Sequence, residues 1–163
     1  MPDDLAAAAP ALVVHTRADV LALPGRSLGP SPWFPIEQDR VDQFARTADD
    51  WHWTHNEPER ATGGPFGGPI GHAHLSLALL PHLLRQTLTI VSGGCMFYGY
   101  NRVRFPRPVP VGSAVRLVGQ VATADALPDS EQLTIDLHLE VDDAGKRPAC
   151  VAQALWRVYR IPA

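Results

Sequence analysis

The chain has 163 residues, of which 45% are hydrophobic and 19% charged, and its formal net charge is −3. This size and composition are typical of one globular domain, and the charge provides no basic surface for nucleic acid or for an anionic membrane. No stretch approaches the roughly 18 apolar residues of a membrane-spanning helix, and the acidic start MPDDLAAAAPALVV lacks the positive front of a secretory signal. We therefore expect a cytoplasmic protein that binds neither nucleic acid nor membrane.

The N-terminal region is rich in alanine and proline. Residues 1–24 are expected to contain a short helix and an extended arm. We place the boundary of the main unit after this region, so that residues 1–28 form an N-terminal arm and residues 29–163 form a single domain.

A helix is predicted after the extended segment around Trp33. Apolar residues at helical spacing are Val41, Phe44 and Ala45. Either Gln38 or Asp39 can cap this helix, and we expect it to end near Ala48.

A glycine-rich loop, GGPFGGPIGH, runs from Gly63 to His72. Its glycines allow the backbone to approach a bound group closely, but the GK[ST] signature of a phosphate loop is absent. The following segment, His72 to Leu88, has leucines on nearly the whole circumference of a helix. This pattern predicts a helix in a hydrophobic core.

After Gly93 the hydrophobic pattern changes to a period of two, which predicts strands. The four segments are CMFYGYNRVRF, AVRLVGQVAT, EQLTIDLHLEV and ACVAQALWRVYR. Turn-forming residues separate them, so we expect neighbouring antiparallel strands that form a sheet with one solvent-exposed face and one buried face. A sheet that wraps around one central buried helix is an α+β arrangement of the hot-dog type.

The stretch DDWHWTHNEPERA, which begins at Asp49, combines carboxylates, imidazoles and indoles. Asp50 and His55 are five residues apart, which on a helix would separate them by about 140°, so they converge only in a loop. Pro58 suits the first turn of a new short helix, which leaves room for that loop. Held together, the two side chains can activate one water; alternatively, Asp50 caps a helix and His55 fills a gap.

The histidines and arginines allow two other kinds of site. Residues able to supply metal ligands are Asp50, His52, His55, His72 and His74. Their spacing matches no familiar zinc pattern, and we expect no metal. The arginines of NRVRFPRP, which are Arg102, Arg104 and Arg107, can either bind phosphate or form a solvated outer face, and we favour the second interpretation.

The segment FARTADDWHWTHNEPERATGGPFGGPIGHAHLSLALLP resembles the MaoC-like dehydratases, which include the (R)-specific enoyl-CoA hydratases, and within them a branch like nodulation protein N. The residues that occupy the places of the family pattern are Phe44, Ala45, Asp50, His55, Glu57, Pro58, Ala61, Pro69, Ile70 and His72. The later segment FYGYNRVRFPRPVPVGSAVRL resembles the same branch.

This resemblance implies a hot-dog fold, commonly a homodimer, that acts on an acyl-CoA thioester. It implies that Asp50 and His55 activate a water for addition to C3 of a trans-2-enoyl thioester, which gives a (3R)-3-hydroxyacyl thioester. The Ala73 amide, at the start of the central helix, would hold the thioester oxygen, a role that suits a helix N-terminus. No cofactor is implied, because hydration has no redox step.

Further substrate contacts are expected from Gly68, Trp53 and His72. The sequence also departs from the family pattern, because Asp49 and Ala73 replace glycines and His74 is an additional histidine. These departures leave two alternatives to a hydratase open: a non-catalytic acyl-thioester-binding protein or degenerate dimer partner, and a hot-dog thioesterase.

Overall fold

The computed structural model describes residues 11–91, 93–143 and 147–160. The helices of that part are Arg17–Leu21 (α1), Gln38–Ala48 (α2), Trp53–Asn56 (α3), Pro58–Thr62 (α4) and Ala73–Arg85 (α5). The strands are Leu12–Val14 (β1), Ser27–Leu28 (β2), Phe34–Pro35 (β3), Leu88–Ile90 (β4), Gly93–Arg104 (β5), Ala114–Ala126 (β6), Ser130–Val141 (β7) and Cys150–Arg160 (β8). All four long strands predicted from the sequence are present.

The long strands form an antiparallel sheet with the order β2-β6-β7-β8-β5, and β3 also pairs with β6. The strands β6, β7 and β8 are neighbours in chain order, as predicted. β5 pairs with β8 instead of β6, so the expected hairpin between β5 and β6 is wrong. The connecting residues 105–113 contain Pro106, Pro108 and Pro110, which lack the N–H that a hairpin ladder needs. They join β5 to β6, which are separated in the sheet by β8 and β7.

The core lies between the sheet and α5. Alternate residues of β7 are buried at 0 to 5% exposure: Leu133, Ile135, Leu137, Leu139 and Val141. From α5, the buried residues are Leu75, Ser76, Leu79, Leu80, Leu83 and Leu84. Burial of α5 is one-sided, however, because Ala78 is exposed. The helix is less enclosed than its apolar circumference suggests, since the sheet of one chain covers only one side of it.

The N-terminal region from residue 11 onward packs on the same core. α1 is the predicted short helix, with Thr16 and Asp19 forming a reciprocal capping box at its start. Val20 and Leu28 are 0% and 2% exposed, and β1 pairs in parallel with β4. The described part of the predicted arm is therefore packed against the domain; residues 1–10 lie outside the described residues.

Helix α2 ends at Ala48, as predicted, but it begins at Gln38, one of the two residues expected to cap it. Its N-cap is Glu37, which makes no side-chain capping bond, so the assignment of Gln38 or Asp39 as the cap is wrong. The Gln38 amide instead reaches Asp42 and the His55 carbonyl. Within the described ranges, no helix is both long and apolar enough to cross a membrane.

Candidate active site

Asp50 lies just after the C-terminus of α2. Asp49 ends the helix in the left-handed conformation, with φ 53° and ψ 35°, which reverses the chain direction. The Asp50 amide donates to the Ala45 carbonyl at 3.1 Å, and the Asp50 side chain is exposed. A glycine adopts this backbone conformation without strain, whereas aspartate is among the few other residues that tolerate it. The replacement of the usual glycine by Asp49 therefore preserves the turn.

His55 lies on the short helix α3, so the stretch after Asp50 is only partly a loop. A polar cluster fixes α3 to α2: Asp42 Oδ1 accepts from Asn56 Nδ2 at 2.7 Å and from Gln38 Nε2 at 2.9 Å. Gln38 Nε2 also donates to the His55 carbonyl at 2.8 Å. A free helix of four residues is not stable in water, so these bonds set the position of His55.

His52 caps α3 at its first turn. Its Nδ1 accepts from the Thr54 amide at 3.4 Å and contacts the Thr54 hydroxyl at 2.8 Å. His52 therefore has a structural role. Of the two histidines in this stretch, only His55 lines the cavity described below.

The His55 ring has a defined tautomer. Its Nδ1 donates to the Ile70 carbonyl at 2.6 Å, and since a carbonyl only accepts, the neutral ring carries its lone pair on Nε2. Burial lowers the pKa of His55 below the usual imidazole value, and the nearby His72 and His52 act in the same direction. The bond to Ile70 and the charge of Asp50 oppose this shift. The net effect favours a neutral ring that can accept a proton.

His72 is buried at 1% exposure and lies directly before α5. Its ring stacks on His55, with centroids 3.9 Å apart and planes inclined by 27°. Its Nε2 donates to the main-chain carbonyl of Asp50 at 3.0 Å. The ring therefore contacts both members of the predicted catalytic pair.

The N-terminus of α5 begins at Ala73, which follows the glycine-rich loop. The end of that loop is held by pairing with the β5–β6 connection, through an Ile70–Pro110 bridge and a 2.8 Å bond from the Gly71 amide to the Val109 carbonyl. Among the described residues, no acceptor bonds the Ala73 amide. The first amides of a helix lack intrahelical partners and carry a partial positive charge, so this amide can bind a developing oxyanion.

These elements surround one cavity of about 440 Å³. Its lining residues are Asp50, His55, Phe66, Ile70, Gly71, His72, Ala73, His74, Ser76, Phe105, Pro106, Arg107, Pro108, Val109 and Ala149. Asp50, His55, His72 and Ala73 thus line the same cavity, and their functional roles stay a prediction. Within the described chain, no direct hydrogen bond joins the Asp50 carboxylate to the His55 ring.

Trp53 and Gly68 are not among the residues that line this cavity. Trp53 packs against the backbone of Gly64, where an added Cβ would lie 2.8 Å from the indole. The Arg60 guanidinium lies over the indole, 4.9 Å from the ring centroid. In the structure, Trp53 therefore packs within the α3–α4 region, where it contacts Gly64 and Arg60.

The β5–β6 connection also contributes to the cavity, which was not predicted from the sequence. Phe105 and Arg107 line the cavity, and the Phe105 ring lies 6.4 Å from that of His74. Arg107 is held by the Arg147 carbonyl and by Asp143 Oδ2 at 2.6 Å. Arg102, by contrast, is exposed on the outer side and lies 3.9 Å from Asp136. The proline-rich composition indicated an extended connection, but not that it covers the site.

In the described part of the chain, no three histidine, cysteine or acidic side chains are grouped as metal ligands. The expectation that the protein needs neither metal nor cofactor stays a prediction.

Comparison with known proteins identifies the family. A family model described as MaoC like domain matches residues 19–140, and the chain belongs to this family. The 3-hydroxyacyl-thioester dehydratase Z of Mycobacterium tuberculosis is 42% identical over 142 residues, which cover 86% of this chain and 93% of that protein. Nodulation protein N of Rhizobium leguminosarum bv. viciae is 35% identical over 149 residues, covering 83% and 86%.

A solved structure with the same architecture is the MaoC-like dehydratase from Rhodospirillum rubrum. The TM-score is 0.71 at 20% identity, with 86% of this chain and 94% of that chain covered. The predicted hot-dog fold is confirmed, as are the predicted family and the prediction of an enzyme of the hydratase and dehydratase type.

Proposed function

We propose that the protein catalyses the reversible hydration of a trans-2-enoyl-CoA thioester to a (3R)-3-hydroxyacyl thioester. The observation that carries this proposal is the meeting of Asp50, His55 and the free amide of Ala73 on one cavity. The name of the 42% identical relative, a 3-hydroxyacyl-thioester dehydratase, supports the same reaction class.

In the proposed reaction, Asp50 and His55 Nε2 hold one water between them. The pair removes a proton from this water as its oxygen bonds to C3 of the enoyl thioester. Electrons move to the thioester oxygen, where the Ala73 amide stabilises the negative charge. The proton returns to C2, so the overall reaction adds one water and consumes no other reagent. Dehydration follows the same path in reverse.

A panel of trans-2-enoyl-CoAs of increasing chain length tests this function. Hydration removes the conjugated double bond, so the ultraviolet absorbance of the enoyl thioester decreases while the thioester remains intact. We expect this decrease for at least one chain length, with no release of free CoA. Absence of the decrease across the panel would contradict the proposal.

The same panel separates the two alternatives. A saturated acyl-CoA cannot be hydrated at C3, so release of free CoA from it would identify a thioesterase. Calorimetric binding of acyl-CoA without turnover of any enoyl-CoA would identify a non-catalytic binding protein.

We further propose that the chain forms a homodimer through the free edge of β5. Only one edge of β5 is paired in the described sheet, where it joins β8. Apolar side chains near this edge are exposed, with Met96 at 47%, Phe97 at 39% and Tyr98 at 54%. A long unpaired strand with exposed apolar residues is a template for pairing with another chain.

The molar mass in solution, measured by light scattering, tests the dimer. We expect twice the chain mass for the natural protein and a shift towards the monomer for Met96→Lys. Val13→Lys is the control, because Val13 is equally exposed, at 47%, but lies on β1. A monomeric natural protein would contradict this assembly. Residence in the cytoplasm stays a prediction.

A further inference from the structure

We propose that His72 is a positioning residue for the Asp50 and His55 pair, and not a residue that binds the substrate. This inference rests on the proposed hydratase function. In this proposal, the buried His72 imidazole at the start of α5 keeps the Asp50 and His55 side chains correctly placed relative to the Ala73 amide.

His72 contacts the main chain of Asp50. The Nε2–H of His72 is donated to the Asp50 main-chain carbonyl at 3.0 Å, although the two residues are 22 positions apart in sequence. Asp50 follows the left-handed turn at Asp49, and its own side chain is exposed. The Asp50 amide is held by the Ala45 carbonyl of α2, and the bond to His72 restrains the carbonyl on the other side of the same residue.

The His72 ring packs against two other aromatic rings. One face stacks on His55 of α3 at 3.9 Å, and Phe44 of α2 lies 5.0 Å from the His72 centroid. The His72 ring thus contacts both α2, which leads to Asp50, and α3, which carries His55. A shift of His72 would be transmitted to both members of the pair.

The His72 side chain is buried, including both of its ring nitrogens. His72 is 1% exposed, and its Nε2 is occupied by the Asp50 carbonyl. Its Nδ1 is also buried and has no hydrogen-bond partner among the described residues. Neither ring nitrogen is thus exposed to a ligand in the cavity. Since His72 immediately precedes Ala73, the same residue also fixes where the first amide of α5 lies relative to His55.

Two variants separate the contributions of the His72 ring. His72→Phe keeps an aromatic ring for stacking but removes the donor to Asp50, whereas His72→Gln keeps an N–H donor but removes the ring. We expect His72→Phe to lower kcat by about 10- to 100-fold, since small displacements of catalytic groups have effects of this size. KM for the enoyl-CoA should change by no more than roughly twofold, because in this proposal the ring does not contact the substrate. His72→Gln should recover part of the loss.

Thr87→Val is the matched control for lost stability. Thr87 is also buried, at 2%, and its hydroxyl donates to a main-chain carbonyl, that of Leu84, at 2.9 Å. It lies past the opposite end of α5 and does not line the cavity. Per folded molecule, Thr87→Val should keep the natural kcat. An equal loss of kcat in this control would overturn the proposal, because it would trace the effect to general destabilisation.

The remaining outcomes are also decisive. A raised KM with unchanged kcat in His72→Phe would show that His72 binds substrate and would overturn the proposal, as would unchanged kcat and KM. Crystal structures of the natural protein and His72→Phe provide a readout independent of turnover. We expect the Asp50 main chain to shift relative to His55, and identical positions would overturn the proposal. If the natural protein hydrates no enoyl-CoA, the proposed function fails, while this structural comparison still decides whether His72 positions the pair.

Discussion

The His55 Nδ1–H is donated to the main-chain carbonyl of Ile70 at 2.6 Å, which ties the imidazole on α3 to the end of the glycine-rich loop. This one bond fixes the ring tautomer and directs the Nε2 lone pair away from the loop. It also connects His55, the proposed base, to the segment that leads into α5, so the orientation of His55 and the position of the Ala73 amide depend on the same loop.

The lowered pKa of His55 predicts a specific dependence of stability on pH. The folded protein holds this imidazole neutral mainly because burial disfavours its charged form, whereas the unfolded chain protonates it near pH 6.5. Between these two pKa values the unfolded state binds more protons, so the free energy of unfolding decreases as the pH falls through about 6.5. Above that pH this penalty is absent.

Thermal unfolding of the natural protein and of His55→Gln between about pH 8 and pH 5 measures this contribution. We expect the stability of His55→Gln to decrease less on acidification. The hydration rate of the natural protein should also decrease on the acid side, because protonation removes the base. An identical pH dependence of unfolding in the two proteins would contradict the assignment.

Asp49→Gly is expected to stabilise the protein. Asp49 has φ 53°, a conformation that is strained for residues with a Cβ and free for glycine. We predict a gain of about 0.5 to 1 kcal/mol in the free energy of unfolding, measured by chemical denaturation. Asp49→Ala serves as the comparison, since alanine lacks the tolerance of aspartate for this region and should not stabilise. A less stable Asp49→Gly protein would show that the Asp49 side chain makes a compensating contribution.

Gly64→Ala is expected to destabilise the region around α3 and α4. A Cβ at this position would lie 2.8 Å from the Trp53 ring, so the indole or the backbone must move. Overpacking of this kind typically costs about 1 to 3 kcal/mol. Gly63→Ala is a neighbouring control, because its Cβ would meet only the Arg60 carbonyl at an ordinary 3.7 Å. Equal melting temperatures for the two variants would contradict the packing of Trp53 on Gly64.

The elements predicted correctly from the sequence are those with long and regular hydrophobic patterns. β7 alternates over its whole length, so its burial follows its period of two. α5 carries leucines on successive turns, and the pattern predicted the helix correctly although it overestimated how much of its circumference is buried. The strands β1 to β4 contain two or three residues each, which is too short for a period to emerge. The pairing of β5 with β8 could not be predicted either. The order of strands along the chain does not specify with which strand β5 pairs when a proline-rich connection follows it.

The candidate site could likewise be predicted only in part from the sequence. The spacing of Asp50 and His55, with the resemblance of the surrounding segment, selected two residues that the structure places on one cavity. The orientation of Trp53 could not be deduced, because it depends on the glycine against which the indole packs. The bond between His72 and the Asp50 carbonyl joins a side chain to the main chain, and no property of either residue type indicates it.

The most direct measurement is the hydration rate of a trans-2-enoyl-CoA by the natural protein, Asp50→Asn and His55→Gln, each normalised to folded protein. Asp50→Asn is nearly isosteric and leaves the main-chain carbonyl that accepts from His72, so it removes the carboxylate charge and little else. We predict that each substitution lowers kcat by about 100-fold or more, as expected for loss of a positioned acid or base. Undiminished hydration by Asp50→Asn would contradict the central claim that the Asp50 and His55 pair activates the water.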